Sequence, residues 1–501
     1  MRMKSYDLLR EKIQKIADIN GTMAVLAWDK ETYLPAKANG LRSRQLATLS
    51  SISHEEYVSE ETGELLAKSS RQRGLDIKAK KNIKVLTEDY LKSKKLPTSF
   101  IVERSMAESE AYHQWVLAKK DNRFELFAPA LDKLIVLKRK EAEMLNEGKG
   151  LYNTLLDQFE PGSTTSLLDK LFTDVRKKLL PIIHEISEAK QVKSGFLQKK
   201  YNKDKQYDFG IYLLNAIGYD FDHGRQDISP HPFTIGFSPA DVRITTRIDE
   251  NDFSNMTWST LHEAGHALYE QGLNPEEYGL PCGGAASLAI HESQSRLWEN
   301  HVGRSLDFWQ AHYPSLQKTF KPLKKVSIIN FYKAINKVEP SFIRTESDEL
   351  HYHIHVLIRY EIEKALIEDG LDAEGARTLW NEKYQKYLGL KIKNDAQGIL
   401  QDVHWSHGSF GYFPTYSMGS FYAAQFFEQA NTELHKLKEQ IAKGNTFDLL
   451  KWLRENIHQH GRLYEAQQLC KKVTGKGLSL DPFVSYAKEK YSDIYGISFQ
   501  I

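Results

Sequence analysis

The stretch Trp258-Ser-Thr-Leu-His262-Glu263-Ala-Gly-His266-Ala-Leu-Tyr269 decides how the chain is read. It is HEAGH set among apolar residues at helical spacing, so a helix here stands His262 and His266 one turn apart on one face. Two imidazoles so placed can share one metal ion. Glu263, one position further round, points beside the ion, where a carboxylate can take a proton from water. The competing reading is two polar residues on a solvated helix face, and further ligands must decide between them.

The third ligand lies downstream. HExxHxxGxxH is ruled out, because Gly272 occupies the place of its third histidine. After Asn274-Pro275 and the glycines from Gly279 to Gly284 comes His291-Glu292-Ser293-Gln294, opening an apolar-periodic segment with Leu297 and Trp298. Glu292 is the leading third donor, since a second helix crossing the first can bring one carboxylate to the ion. His291 is its rival. Against both stands an acid that merely favours its own helix N-terminus.

Upstream, the residues from Ser229 to Glu250 are rich in β-branched side chains. Val242, Ile244, Thr246 and Ile248 alternate with Asp241, Arg243, Thr245 and Arg247, and Pro230, Pro232 and Pro239 punctuate short strands. A small sheet before the histidine helix is expected, with an edge able to hold an extended peptide. Arg243 either meets that peptide or pairs with Asp241.

Further out the pattern is helical. Apolar spacing runs from Tyr6 to Leu26, is broken by Pro35 and Gly40, and resumes through Leu46 and Leu49. Trp28 beside Asp29 reads as a buried ring with a satisfied carboxylate. The span from Leu65 to Gly148 is helical and strongly charged, with Lys78 to Lys95 a solvated face. Residues 1–229 are therefore scaffold, 230–420 hold the sheet, metal helices and pocket loops, and 421–501 return to helices. Within the middle part Ser347 or Asp348 caps a helix whose His351, His353 and His355 read as a solvated or core-satisfied trio and not as a second metal site, because His353 points away from the other two. The loop from Gly398 to Tyr416 packs His404, His407, glycines and aromatic residues, which suits a pocket wall.

Bulk properties exclude several classes. A net charge of +2 over 501 residues leaves no nucleic-acid footprint. Two cysteines, far apart, make no disulfide scaffold, and neither a leader peptide nor a membrane span is legible, so a cytoplasmic chain is expected. No Pro/Gly/Ser-rich linker divides it, so a single domain over 1–501 is expected.

Taken together these stretches resemble the carboxypeptidase Taq family of zinc metallocarboxypeptidases. The matching pieces are WDKETYLP from Trp28, HPF from His231, DVRIT from Asp241, HEAGH, HESQ from His291, IRTESDE from Ile343, GILQDVHW from Gly398, GYFPTY from Gly411 and WLRENIHQHGRLY from Trp452. The resemblance implies a mainly α, gluzincin-like fold with a deep substrate groove and a small sheet near the metal. It also implies a homodimer that removes C-terminal residues from peptides with broad specificity, sparing proline and acidic ends. Matched position by position, the family's zinc ligands fall on His262, His266 and Glu292, and its catalytic glutamate on Glu263, with one Zn2+ per chain and Co2+ as a substitute. One departure stands out: thermolysin-like sites carry Asp four residues beyond the ligand Glu to orient a zinc histidine, and here that residue is Arg296.

The remaining roles follow from the chemistry required. Tyr416, with His404 or His407 as second candidate, would stabilise the oxyanion, and His407 would also meet substrate. Arg344, or Arg243, would grip the free carboxylate. No GxMEN-like acidic motif precedes HEAGH, which counts against an aminopeptidase. An oligoendopeptidase with the same ligands is the alternative, and a helical binding protein with a dead site is the more distant rival.

Overall fold

The structure, a computed structural model, describes residues 4–499. Met1 to Met3, which belong to the N-terminal stretch read as lacking a leader, lie outside the described residues, as do the last two residues of the C-terminal part. The fold is mainly α with one three-stranded sheet. The chain forms two compact units, one from residues 1–93, 193–335 and 422–477, the other from 94–192, 336–421 and 478–501. Each unit is assembled from three separate stretches, which is why no linker composition marks a boundary.

In the first unit the opening helix, Ser5–Thr32, ends just before Pro35, and a second helix runs Asn39–Val58; Gly40, expected to break the pattern, lies inside that second helix, where a single glycine is tolerated. Leu9, Ile13 and Ile16 close a core with Leu66, Ile83, Leu86, Tyr90 and Leu280. Trp28 is buried, and Asp29 accepts from Arg42 at 2.6 Å, as expected of a satisfied pair.

The sheet has β1 (Gln226–Ile228), β2 (Thr234–Ser238) and β3 (Asp241–Thr246) in the order β1-β3-β2. β3 pairs parallel with β1, Gln226 opposite Ile244, and antiparallel with β2, Thr234 opposite Ile244. β1 lies ahead of the expected start near Pro230, and at three residues it is too short for alternation to show. Val242 and Ile244 are buried as the alternation requires, but Thr245, on the expected polar face, is buried too. Its hydroxyl is hydrogen-bonded to Ser229 Oγ at 2.7 Å and accepts from Phe233 N at 3.0 Å, so a polar group is carried inward without loss.

The histidine helix, Phe253–Glu270, is capped by Asp252, whose carboxylate accepts from Ser254 N at 2.9 Å. It packs on β2 and β3 and is crossed by the helix Leu288–Arg296. Gly265, inside HEAGH, sets that crossing: a Cβ there would stand 2.5 Å from both Gln294 O and Ser295 Cα. Only glycine admits so close an approach of two backbones.

The second unit is built on helices that include Thr98–Asp121, Ala128–Leu145 and His351–Glu368. The last is buried along most of its length, and its three histidines lie in the core, each with a partner at Nδ1, while the buried Nε2 of His355 has none among the described residues. His351 pairs with Asp348, His353 with Ser417 Oγ and His355 with Tyr384 Oη. Asp348 also accepts from the amides of Leu350 and His351, at 2.9 and 3.0 Å, and so closes the helix start. No helix among the described residues is long and apolar enough to cross a membrane.

Candidate active site

The helical period places His262 and His266 on one face, with ring centroids 5.0 Å apart. The crossing at Gly265 brings Glu292 to the same point. Glu292 Oε2 lies 3.6 Å from His262 Nε2 and 3.4 Å from His266 Nε2. Ligand atoms of these three residues all lie within 4.8 Å of one another, and two imidazole nitrogens with one carboxylate oxygen make a donor set suited to a borderline divalent ion. His291, the rival donor, is turned away from this group. Its ring stacks on His266 at 4.4 Å, and its Nε2 donates to Glu270 Oε1 at 2.8 Å.

Both imidazoles are oriented from behind. His262 Nδ1 donates to Glu299 Oε2 at 2.9 Å, and His266 Nδ1 donates to the carbonyl of His291 at 3.0 Å. These bonds fix the tautomers that leave each Nε2 lone pair free. Glu299 is the acceptor that motif reading could not name. It lies on the π-helical segment Leu297–Gly303 that continues the second helix, seven residues beyond Glu292. Arg296 and Arg304 also donate to it, at 3.2 and 3.1 Å.

The electrostatics follow from burial and these partners. Burial lowers the pKa of His266 to about 3, with the nearby His291 adding to the effect, so the ring is neutral. Burial would lower that of His262 too, but the Glu292 and Glu299 carboxylates outweigh it and raise it. Burial would raise that of Glu292, yet the Arg296 guanidinium and His262 hold it well below the usual carboxylate range. Glu263 differs. It is 8% exposed and burial lifts its pKa above the ordinary value, opposed by His262 and by Thr234 Oγ1, which donates to Oε2 at 2.7 Å. Thr234 belongs to β2, so this edge strand touches the carboxylate beside the group of His262, His266 and Glu292.

Replacing Glu299 by Gln, which keeps the size of the side chain and removes its charge, is expected to weaken metal binding about 10- to 100-fold. Competition with a chromogenic chelator measures it, and unchanged affinity would show that the Glu299 charge plays no part.

The other expected residues are placed as follows. Arg243 pairs with Asp241 through Nε and Nη2, at 2.9 and 2.8 Å, and its guanidinium lies 4.4 Å from the Trp28 ring centroid, so the ion pair, one of the two alternatives for this residue, is present. The second unit gathers Arg344, His404 and Tyr416. Arg344, 5% exposed, donates through Nε and Nη2 to Asp402 Oδ1 at 3.0 and 2.9 Å, and through Nη1 to Tyr352 Oη at 3.0 Å. Arg359 donates to the other Asp402 oxygen at 2.7 Å. The Arg344 guanidinium lies 4.8 Å from the Tyr416 ring centroid, and His404 Nε2 is 3.0 Å from Tyr416 Oη. Burial, with Arg344 close by, lowers the His404 pKa to about 3. His407 is exposed and stacks on Tyr112 at 5.1 Å.

A helical fold holding two imidazoles, a carboxylate that meets them and a second carboxylate beside them defines the class of single-ion metallohydrolases. Residues 8–491 match the model of the carboxypeptidase Taq (M32) metallopeptidases, and the chain belongs to that family. Thermostable carboxypeptidase 1 of Thermus thermophilus is 39% identical over 505 residues, covering 98% of this chain and 99% of that protein. Carboxypeptidase 1 of Bacillus subtilis is 36% identical over 493 residues, covering 98% of each. The crystal structure of the M32 carboxypeptidase from Deinococcus radiodurans R1 superposes with a TM-score of 0.96 at 36% identity, covering 98% of this chain and 100% of that one. The protein is a metal-dependent carboxypeptidase.

Proposed function

We propose that the metal is zinc, one ion per chain, held by His262, His266 and Glu292, with cobalt as a substitute. Bound there, the ion would supply Lewis acidity, making water acidic and polarising a carbonyl. Glu263 accepts the proton of the attacking water and passes it to the leaving amine. Its burial, which raises its proton affinity, suits a group that must hold that proton between the two steps. Tyr416 donates to the oxygen of the scissile carbonyl as charge develops, with His404 behind its hydroxyl and His407 as a further polar contact for substrate.

Terminal recognition falls to Arg344. An exopeptidase must hold the free carboxylate one residue, about 3.8 Å between Cα atoms, from the bond it cuts. The carboxylate reader and the oxyanion donor should therefore be neighbours, as Arg344 and Tyr416 are. Arg243, bidentate to Asp241, is the alternative reader. We extend the proposal to broad C-terminal specificity that spares proline and acidic ends, a cytoplasmic homodimer, and one peptidase domain comprising both units.

The observation that carries the reading is the meeting of two histidine nitrogens and one carboxylate oxygen in a chain of this family. Product mapping tests it. A free-acid peptide is expected to shorten stepwise from its C-terminus while its C-terminal amide stays whole, and Arg344→Lys, which loses the planar fork, should raise KM for the free acid. Equal internal cleavage of both peptides would place the protein with the oligoendopeptidases.

A further inference from the structure

Arg296 occupies the place where thermolysin-like sites carry an acid, and the structure gives this inverted charge a definite partner. Its Nε donates to Glu292 Oε1 at 2.7 Å, and its Nη1 donates to Glu299 Oε2 at 3.2 Å. The other oxygen of Glu292, Oε2, faces His262 Nε2 and His266 Nε2 and accepts from Ser295 Oγ at 3.0 Å. The two oxygens of one carboxylate are thus assigned to different tasks.

We infer that Arg296 is a positioning residue that makes Glu292 a one-oxygen ligand, by holding Oε1 away from the ion. The inference rests on the metal site proposed above and adds how its third donor is controlled. A charge-assisted bond of this length is among the strong ones in a buried site, so Oε1 stays committed to the guanidinium. A carboxylate free of such a partner can turn and chelate through both oxygens, which fills a position that water or substrate needs. The cation also draws charge from the ligand oxygen, so the ion keeps more of its polarising power. Arg304, on the far side of Glu299, extends the same balance of two guanidinium groups against two carboxylates.

Coordination spectroscopy tests this apart from turnover. The full chain is stripped of metal and loaded with one equivalent of Co2+, whose visible absorption weakens as its coordination number rises. Wild type and Arg296→Lys, which keeps a charged donor for Oε1, are expected to show the strong band of a low-coordinate ion. Arg296→Met, which fills the space without a donor, is expected to show a severalfold weaker band, and X-ray absorption of its Zn2+ form should count one additional oxygen donor. An unchanged band in Arg296→Met with the metal still bound would overturn the inference. X-ray absorption of the wild-type Zn2+ form decides without any variant: two Glu292 oxygens on the ion would overturn the inference, and one would support it. A wild-type chain that takes up neither ion would instead defeat the metal-site reading.

Discussion

Glu263→Gln is expected to lose about 10²–10⁴-fold in kcat while retaining one metal ion per chain. The substitution keeps the shape of the side chain, and the amide oxygen still accepts from Thr234 Oγ1, the 2.7 Å partner of the native carboxylate. What it removes is the ability to take a proton. The loss corresponds to about 3–5 kcal/mol in the barrier. No stability loss is expected, because a buried carboxylate at 8% exposure is replaced by a neutral group of the same size. Metal content, thermal midpoint and turnover measured on one preparation separate these effects. A metal-replete Glu263→Gln enzyme with near-native turnover would mean that the base is another group.

Asp402→Ala is expected to destabilise the protein by about 3–5 kcal/mol, the effect of removing one partner from a buried ion pair. Asp402 is the shared acceptor of two guanidiniums, Arg344 at 2.9 Å and Arg359 at 2.7 Å, whose side chains are 6% and 0% exposed. Its loss strands both cations in the interior of the second unit. Burial would raise the Asp402 pKa, but Arg344 and Arg359 outweigh it and hold it far below its value in an unfolded chain, about 3.9. The pair therefore stabilises the fold fully above about pH 4 and progressively less as acid lowers the pH toward the folded value. The variant should show a lower denaturant midpoint at neutral pH and a shallower decline of stability below about pH 4. A midpoint equal to that of the wild type at neutral pH would show that water reaches and solvates the two guanidiniums.

Some of this is open to reading from local pattern. HEAGH has a spacing that any helix turns into two imidazoles on one face, and Pro35, through which an α-helix cannot run on, stands just past the end of the first helix at Thr32. The alternation of Asp241 to Ile244 reports a strand because successive side chains must face opposite ways. Thr245 fails the same rule because its hydroxyl finds partners inside, a fact that no periodicity contains. Helical direction is enough to set His353 apart from His351 and His355, but it cannot tell a buried trio from a solvated one or name Ser417 and Tyr384 as partners.

What the sequence determined by itself is the pair of imidazoles, the carboxylate beside them, the strand ahead of them and, through motifs spread along the chain, the family. Only the tertiary structure decided that Glu299 orients His262, that the carbonyl of His291 orients His266, that Thr234 reaches Glu263 and that Arg296 holds one oxygen of Glu292. Most of these contacts join residues 25 to 37 positions apart, across a helix crossing or between a strand and a helix. Local period fixes the direction of a side chain from its own axis. Where two axes meet is fixed by packing, here by a glycine at which a single added methyl group would stand 2.5 Å from the facing backbone.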